Sequence, residues 1–397
     1  MSESKPIFKP IYEGRDFYVP AFDLKIEGQD ISAEAAKDVI DVRYSGLINN
    51  IDEFDLTVNN WDAERLDFKY TGPKEGGEDE RSEIFTPGQV IELRMGYFHQ
   101  SQQMPLMLVG KIAKLTPSFP AAGAPTLKVS GQSVLSELST EQKSYPYKSG
   151  LTASEIAVKV GERGNLKFKN MKLEVKTDST AKAKEPPLEH VLQYEQFDIV
   201  FLLQLAHRHG YDVLLKYEKE GNKDKPYLFF GPRTSDEQVS YILEWGKSLI
   251  QFQPSLTTSN QVNKVTVRGW DASKGKVIEK TIERSELDTR PLRNKKKLET
   301  LVKGFQENKE IVVNKPFHNK GAAEAYAKAL LKGIVGAMVT GHGSTVGTPD
   351  LRAGSRIEIK KLGDIFSGIY TVTSTTHTIN AGGYLTEFEA QLEEKNP

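Results

Sequence analysis

The sequence predicts a mainly β fold of the α+β class: two antiparallel β-barrels of one design, an α/β insertion between them, and a helix-containing insertion inside the second. Three observations carry this prediction. Apolar–polar alternation of period two runs from Tyr18 to Ser136 in segment after segment. Helix signals replace it between residues 137 and 245. The alternation then returns and closes the chain on FSGIYTVTSTTHTINAGGYLTEFEAQLE (366–393), its most regular hairpin. Past the AGG turn, Tyr384, Thr386, Phe388, Ala390 and Leu392 share one face, and Glu387, Glu389, Gln391 and Glu393 the other. Successive side chains alternate across a strand, so this is a strand with one buried and one wet face.

In chain order, residues 1–17 are polar and Pro-interrupted and read as an arm. The first barrel covers 18–136, from AFDLKIEG, VIDVRYSG, EFDLTVNN, QVIELRMG, LMLVGKIAKL and TLKVSG; the apolar-free TGPKEGGEDERSE (71–83) reads as an exposed loop. The insertion covers 137–245. It holds a helix capped by Thr152 or Ser154 and stopped at Gly161 or Gly164, a strand with a Pro-closed linker (171–188), the amphipathic helix 197–210, and the hairpin YDVLLKYEKEGNKDKPYLFFG. The second barrel takes 246–290 and 345–397. Between its parts, a helical insertion (291–344) carries a stripe of Ala322, Tyr326, Ala329 and Leu330.

Two stretches match. Gly88, Ile91 and the following Glu-Leu correspond to Gly354, Ile357 and Glu-Ile; each leads to a strand with a glycine, Gly110 in one and Gly368 in the other. Both continue through a small-residue turn into a last strand. The first copy has the longer loop, and its Pro117 and Pro125 predict a less regular edge. Internal repetition of this kind is how one chain imitates a symmetric array.

Composition narrows the function. Among 397 residues, 53 Lys and Arg nearly cancel 54 Asp and Glu, which argues against a surface-wide affinity for nucleic acid or anionic membrane. The absence of cysteine excludes disulfides, Cys-ligated metals and a thiol nucleophile. The N-terminus lacks a signal-peptide core, and the densest apolar run, IVFLLQLA (199–206), is too short to span a bilayer, so synthesis and folding in the cytoplasm are expected.

No catalytic, cofactor or metal site stands out. His207 and His209 are two apart on a helix and face different ways. GHGSTVGT (341–348) lacks the Lys of a phosphate loop and reads as a connecting loop. His377 lacks a nucleophile motif and reads as structural. Glu387, Glu389 and Glu393 share one strand face and cannot flank a substrate. RNKKK (293–297) reads as a charged loop, and Trp270 as core.

The run RAGSRIEIKKLGDIFSGIYTVTSTTHTINAGGYLTEFEAQ resembles the closing signature of the phage late control D family, on Gly354, Phe366, Gly368, Tyr370, Val372, Thr376, His377, Thr378, Gly383, Tyr384, Thr386 and Phe388. NQVNKVTVRGWD with Trp270, the Ala-rich helix at 322–330, and DEFDLTVNNWD agree with it, so the resemblance covers nearly all of 18–393. That family holds the baseplate hubs of contractile phage tails, tailocins and contractile injection systems, and the N-terminal half of VgrG. It implies two tube-like barrels per chain and a homotrimer whose six barrels join a six-fold inner tube to a three-fold spike. The implied partners are the inner tube or tube-initiator proteins, baseplate wedge proteins, and a spike on a separate chain, since this one stops at Pro397 where VgrG continues. Neither a membrane nor sequence-specific nucleic acid is implied, and the place of work would be the baseplate of a phage tail or injection particle. Two other readings are a tail-associated cell-wall hydrolase, with the insertion as catalytic part, and a cell-wall-binding adaptor, since TASEIAVKVGERGN is similar to a LysM helix.

Overall fold

Alternating strands build a mainly β chain, beginning with a first unit of antiparallel strands. The computed structural model describes residues 8–11, 17–71, 84–98, 104–164, 167–168, 171–221, 223–232, 240–257, 261–271, 274–287, 310–314 and 320–393. It opens with β1 (Phe8–Pro10), β2 (Pro20–Ile26), β3 (Gln29–Asp30), α1 (Ala33–Asp38), β4 (Val39–Leu47), β5 (Glu53–Asn59), β6 (Trp61–Asp62) and β7 (Asp67–Phe68). There follow β8 (Val90–Tyr97), β9 (Leu106–Ser118) and β10 (Thr126–Ser133). The strands order as β4-β5-β10-β9-β8-β2, all antiparallel, around buried Leu56, Val58, Leu93, Met95, Leu108 and Val129. From residue 72 to 83 the expected polar loop lies outside the described residues, as does the run 293–297.

The insertion has its own core. It comprises β11 (Gln142–Pro146), α2 (Ala153–Gly164), β12 (Lys167–Phe168), β13 (Met171–Lys172), β14 (Glu174–Thr177), α3 (Ser179–Lys182), β15 (Leu192–Phe197), α4 (Asp198–His209), β16 (Tyr211–Glu220) and β17 (Lys223–Pro232). Thr152 caps α2 in a reciprocal box: its Oγ1 accepts from the Glu155 N–H, and Glu155 Oε2 accepts from the Thr152 N–H. Gly210, in the left-handed region at φ +67°, ends α4. Leu202, Leu205 and Ala206 of α4 pack with Ile156 and Val160 of α2 and Leu228 and Phe230 of the sheet.

The second unit contains β18 (Ser240–Glu244), β19 (Leu249–Leu256), β20 (Lys264–Asp271), β21 (Lys276–Glu283), β22 (Glu310–Asn314), α5 (Lys320–Gly336), β23 (Val339–Val346), β24 (Arg356–Lys360), α6 (Gly363–Phe366), β25 (Gly368–Asn380) and β26 (Gly383–Leu392). Two expectations are corrected here. Residues 264–283, assigned to the second barrel, form with β22 a separate three-stranded sheet that α5 covers, around Val265, Val267 and Ile282. The buried stripe of α5, which faces this sheet, is Ala323, Tyr326, Ala327, Leu331 and Val335; of the expected stripe Tyr326 belongs to it, and Ala322 and Leu330 pack half-buried at its margin. Ala329 touches the end of the insertion instead: a Cβ on Gly210 would lie 3.0 Å from its Cβ. A third correction concerns GHGSTVGT. It forms strand β23, between β19 and β26, and its glycines leave room for a ring, since a Cβ on Gly341 would sit 2.4 Å from Phe252 Cζ.

Within the expected arm, Phe8–Ile11 is docked: β1 runs parallel to β18 and Ile11 is buried in the second core with Tyr370 and Ile359. The second unit thus reads β19-β23-β26-β25-β24-β18.

This order repeats the first unit strand for strand, and the registers agree residue for residue. Gly88 and Gly354 both have positive φ (+93° and +88°) before the matched strands β8 and β24. Each donates its N–H to the next strand, to the Ile112 carbonyl and the Val372 carbonyl, at 2.8 Å. From those anchors one residue onward, β9 and β25 each carry a β-bulge, at Ala113 and at Thr373. β4 and β19 carry another, at Ile40 and at Ile250. A bulge adds one unpaired residue at a defined place, so two coincident pairs fix the alignment. It sets Gly110 against Tyr370 rather than against Gly368. The units differ in their sixth strand: β2 is antiparallel to β8, while β18 is parallel to β24.

Candidate functional site at the seam of the two repeats

The two units are one sheet. β25 pairs with β24 over its first residues and, on the same edge further along, with β4 of the first unit, from Ser374 opposite Leu47 to Asn380 opposite Asp41. Alternation then buries Thr375, His377 and Ile379 of β25 against Val42 and Tyr44 of β4.

Polar groups cluster under this ladder. His377 is wholly buried; its Nε2 is 3.0 Å from the Leu351 carbonyl, so Nε2 carries the proton and donates. Its Nδ1 accepts from the Tyr384 hydroxyl at 3.0 Å and the Thr386 hydroxyl at 3.1 Å. Burial, helped by the charge of Arg352, pushes the imidazole down to about 3, so it is neutral. Arg352 donates to the carbonyls of Pro349, Leu106 and Met107, its guanidinium 5.3 Å from the centre of the Tyr44 ring. Tyr44 in turn donates to Asp52 at 2.9 Å. Burial raises the Asp52 carboxyl to about 6 against the opposing pull of that hydrogen bond and of Arg352. The insertion joins through Tyr217, whose hydroxyl accepts from the Val109 N–H, and through Asn49, which accepts from the Val213 N–H at 2.7 Å.

Chemically this cluster is closed. Thr386 beside His377 has the outline of a hydroxyl–imidazole pair, yet both side chains are fully buried and Thr386 Oγ1 also accepts the Thr348 N–H. A shallow cleft of about 400 Å³ between β2 and α1, lined by Phe22, Asp23, Asp30, Lys37 and Ile379, contains no base next to a nucleophile. Among the described residues no group of three His, Asp or Glu side chains could hold a metal, and no helix is long and apolar enough to cross a membrane.

The sequence-derived residues divide by location. Gly354, Phe366, Gly368, Tyr370, Gly383, Tyr384 and Phe388 shape the second unit: the Tyr370 hydroxyl donates to the Phe366 carbonyl at 2.7 Å, and Phe388 stacks on Phe252. Thr376 and His377 lie on the seam, Thr376 within 3.4 Å of the Ser45 hydroxyl. Gly88, Ile91 and Gly110 hold the same strands of the first unit, Ile91 paired with Gly110. Trp270 corrects its assignment to the core: it is 55% exposed, on the side of β20 away from α5. Glu393, read as part of a wet ladder, is an ion-pair partner of Arg356 at 2.7 Å. Sequence reasoning missed Arg352, Asp52 and Tyr44, which lie in ordinary loop and strand contexts and meet only when the repeats join.

This arrangement matches known folds. A 43 kDa tail protein of prophage MuSo2 from Shewanella oneidensis superposes with a TM-score of 0.65 at 14% identity, over 94% of this chain and 99% of that one. The E. coli c3393 protein, described as a component of the type VI secretion system with structural similarity to the T4 tail proteins gp27 and gp5, gives 0.57 at 13%, over 93% and 76%. A chain of the Francisella PdpA–VgrG complex gives 0.54 at 10%, over 98% and 61%. No curated protein matches by sequence. The fold is thus that of phage tail proteins and of their secretion-system counterparts. The chain belongs to the family described as the Alg8 N-terminal domain, whose model matches residues 18–381.

Proposed function

We propose that this protein is a non-enzymatic hub of a contractile tail or injection machine, a homotrimer that adapts a six-fold inner tube to a three-fold spike carried on another chain. The duplication carries the reading: two units with one strand order and coincident bulges let three chains present six equivalent sheets. The resemblance to late control D proteins and the likeness to tail proteins support it. In this role the inner tube or its initiator meets one face of the ring, the spike the other, and wedge proteins the outside. The motif residues act by shaping the sheets, with His377 and Tyr384 holding the seam.

Light scattering of the purified chain over a wide concentration range tests the reading. A trimer, alone or on addition of the neighbouring spike protein, is expected. A chain that stays monomeric in both conditions overturns it.

A further inference from the structure

Beyond their sixth strands the two units are filled differently. In the second unit β18 is followed by β1, whose Phe8, Lys9 and Pro10 pair with Ser240, Tyr241 and Ile242, and the next residue, Ile11, is buried. In the first unit the same place beyond β2 is taken only at one end, where β3 sets Asp30 opposite Lys25 and Gln29 opposite Ile26. The Ile31 N–H still reaches the Leu24 carbonyl, at 3.1 Å, and the chain then turns away into α1, capped by Ser32. The rest of that edge is open. Glu27 and Val19 bond to Val90 and Phe98, so the odd-numbered residues of β2 face β8 and the even-numbered ones face the other way. The Phe22 N–H and C=O and the Pro20 C=O therefore point away from the sheet, and no backbone among the described residues pairs with them. Unpaired edge groups of this kind are a template for another strand. Beside them lies the cleft of about 400 Å³ between β2 and α1, with Phe22, Ile31, Ala36 and Ile379 as its apolar wall. Its rim is close to neutral: Asp30 is paired with Lys25 at 3.1 Å, and the charges of Asp23 and Lys37 balance.

We propose that this edge and cleft bind an extended segment of a different protein. The segment adds antiparallel to Pro20–Phe22 in line with β3, and one large aliphatic side chain of it enters the cleft. The ladder that β3 begins dictates the contacts. The partner residue opposite Phe22 accepts from the Phe22 N–H and donates to the Phe22 carbonyl. Two residues further on, a second N–H of the segment reaches the Pro20 carbonyl. Opposed residues share a face, so the side chain of the central residue lies beside Phe22, against Ile31 and Ile379. Main-chain bonds supply the affinity of such an added strand, and the pocket its specificity. The second unit indicates the chemistry of the occupant: β1 is equally short, and its neighbour Ile11 is buried in the core of the unit it joins. The chain's own strand of this kind is already seated on β18, so the first-unit edge is left for another protein. The inference rests on the internal repeat and not on the hub reading.

Peptide titration of the full chain, followed by the methyl NMR signals of Ile31 and Ile379, tests it. The probe is Ac-Lys-Thr-Thr-Ile-Thr-Thr-Lys-NH2. One control carries Asp in place of the Ile, and a second carries a methyl on the Ile amide nitrogen, which removes the donor to the Phe22 carbonyl. The expected result is a shift of both signals at or below about 1 mM probe, with each control binding at least ten-fold more weakly. The controls leave the protein unaltered, so their effect cannot come from misfolding. An Ala36→Phe chain, whose new ring fills the cleft, should also lose the probe with unchanged circular dichroism. Equal binding of the N-methylated peptide overturns strand addition, and no shift at Ile31 and Ile379 overturns the site. Light scattering separates the other occupant: an Ala36→Phe chain that dissociates where the parent is a trimer assigns the cleft to a second copy and overturns the proposal. A chain that stays monomeric, with or without the spike protein, and still binds the probe keeps this site and overturns the hub.

Discussion

Tyr44 and His377 stand opposite each other across the β4–β25 ladder, with ring centres 5.7 Å apart. One belongs to the first repeat and one to the second, and each anchors a buried polar chain: Tyr44 to Asp52, and His377 to Leu351 and Tyr384. Buried polar networks that are fully paired specify one arrangement of the elements that bear them. Here the arrangement is the way the two repeats join in one sheet, which sets the geometry of any ring built from them.

The two titrating groups at this seam oppose each other as pH falls. His377 is near 3 folded against 6.5 unfolded, so below about pH 6.5 the unfolded chain takes a proton that the folded chain refuses, and stability is lost down to about pH 3. Asp52 is near 6 folded against 3.8 unfolded, so between those values the folded chain holds the extra proton, and stability is gained as pH falls. At about 1.4 kcal/mol per pH unit, each effect is several kcal/mol at most. His377→Gln keeps a donor for the Leu351 carbonyl and cannot be protonated, so its stability should fall less than the wild type's between pH 6.5 and 4. Asp52→Asn should fall more. Urea unfolding at three or four pH values gives the order, and the reverse order would mean that the folded imidazole is charged.

Gly88 and Gly110 separate two reasons for a glycine. Gly88 has φ +93° and open space where a Cβ would be, so Gly88→Ala meets backbone strain alone and should cost about 1–2 kcal/mol. A Cβ on Gly110 would lie 2.1 Å from the Gln132 carbonyl oxygen, a backbone atom that cannot swing away. Gly110→Ala should therefore break the β9–β10 ladder near its bulge and yield little folded protein, as thermal melts of the two variants would report.

Much of the strand content was legible because one face of each strand is wet. β26 is the clearest case: all five predicted inward residues, from Tyr384 to Leu392, are buried. The β23 strand was not legible, because after Val339 its buried positions are Gly341, Gly343 and Thr345, and the two glycines leave room for Phe252 and Phe388 from other strands. Nor was the separate sheet of β20 to β22, whose alternation is as good as that of the repeats and does not name its partner. The repeat was visible at Gly88 and Gly354, yet its register was misjudged by two residues, since the bulges that fix it leave no mark on composition. Of the seam, His377 and Tyr384 were singled out by motif, while Arg352 acts on carbonyls distant in sequence.

Gly341→Ala tests the role of β23 as core. The added methyl would strike the Phe252 ring, which is held between Tyr370 and Phe388, so the ring cannot turn aside freely. Overpacking of this kind costs about 1–3 kcal/mol. Combining it with Phe252→Leu, which opens space, should recover part of the lost melting temperature; an additive loss would place the clash elsewhere.

Arg94 and Asp224 tie the first unit to the insertion by an ion pair of 2.7 Å with side chains 7% and 13% exposed. Arg94 also donates to the Met104 carbonyl, and its Nε has no partner among the described residues. Removing one member of such a pair strands the other charge away from water, at about 3–5 kcal/mol, whereas replacing both together costs far less. Arg94→Met should therefore be strongly destabilising, Asp224→Asn likewise, and the double variant milder than either single loss added to the other. A double-mutant cycle by urea unfolding measures the coupling, expected to exceed about 1 kcal/mol for a contacting pair. Strict additivity would mean that the insertion is held to the first unit by its apolar contacts and by Asn49 rather than by this charge pair.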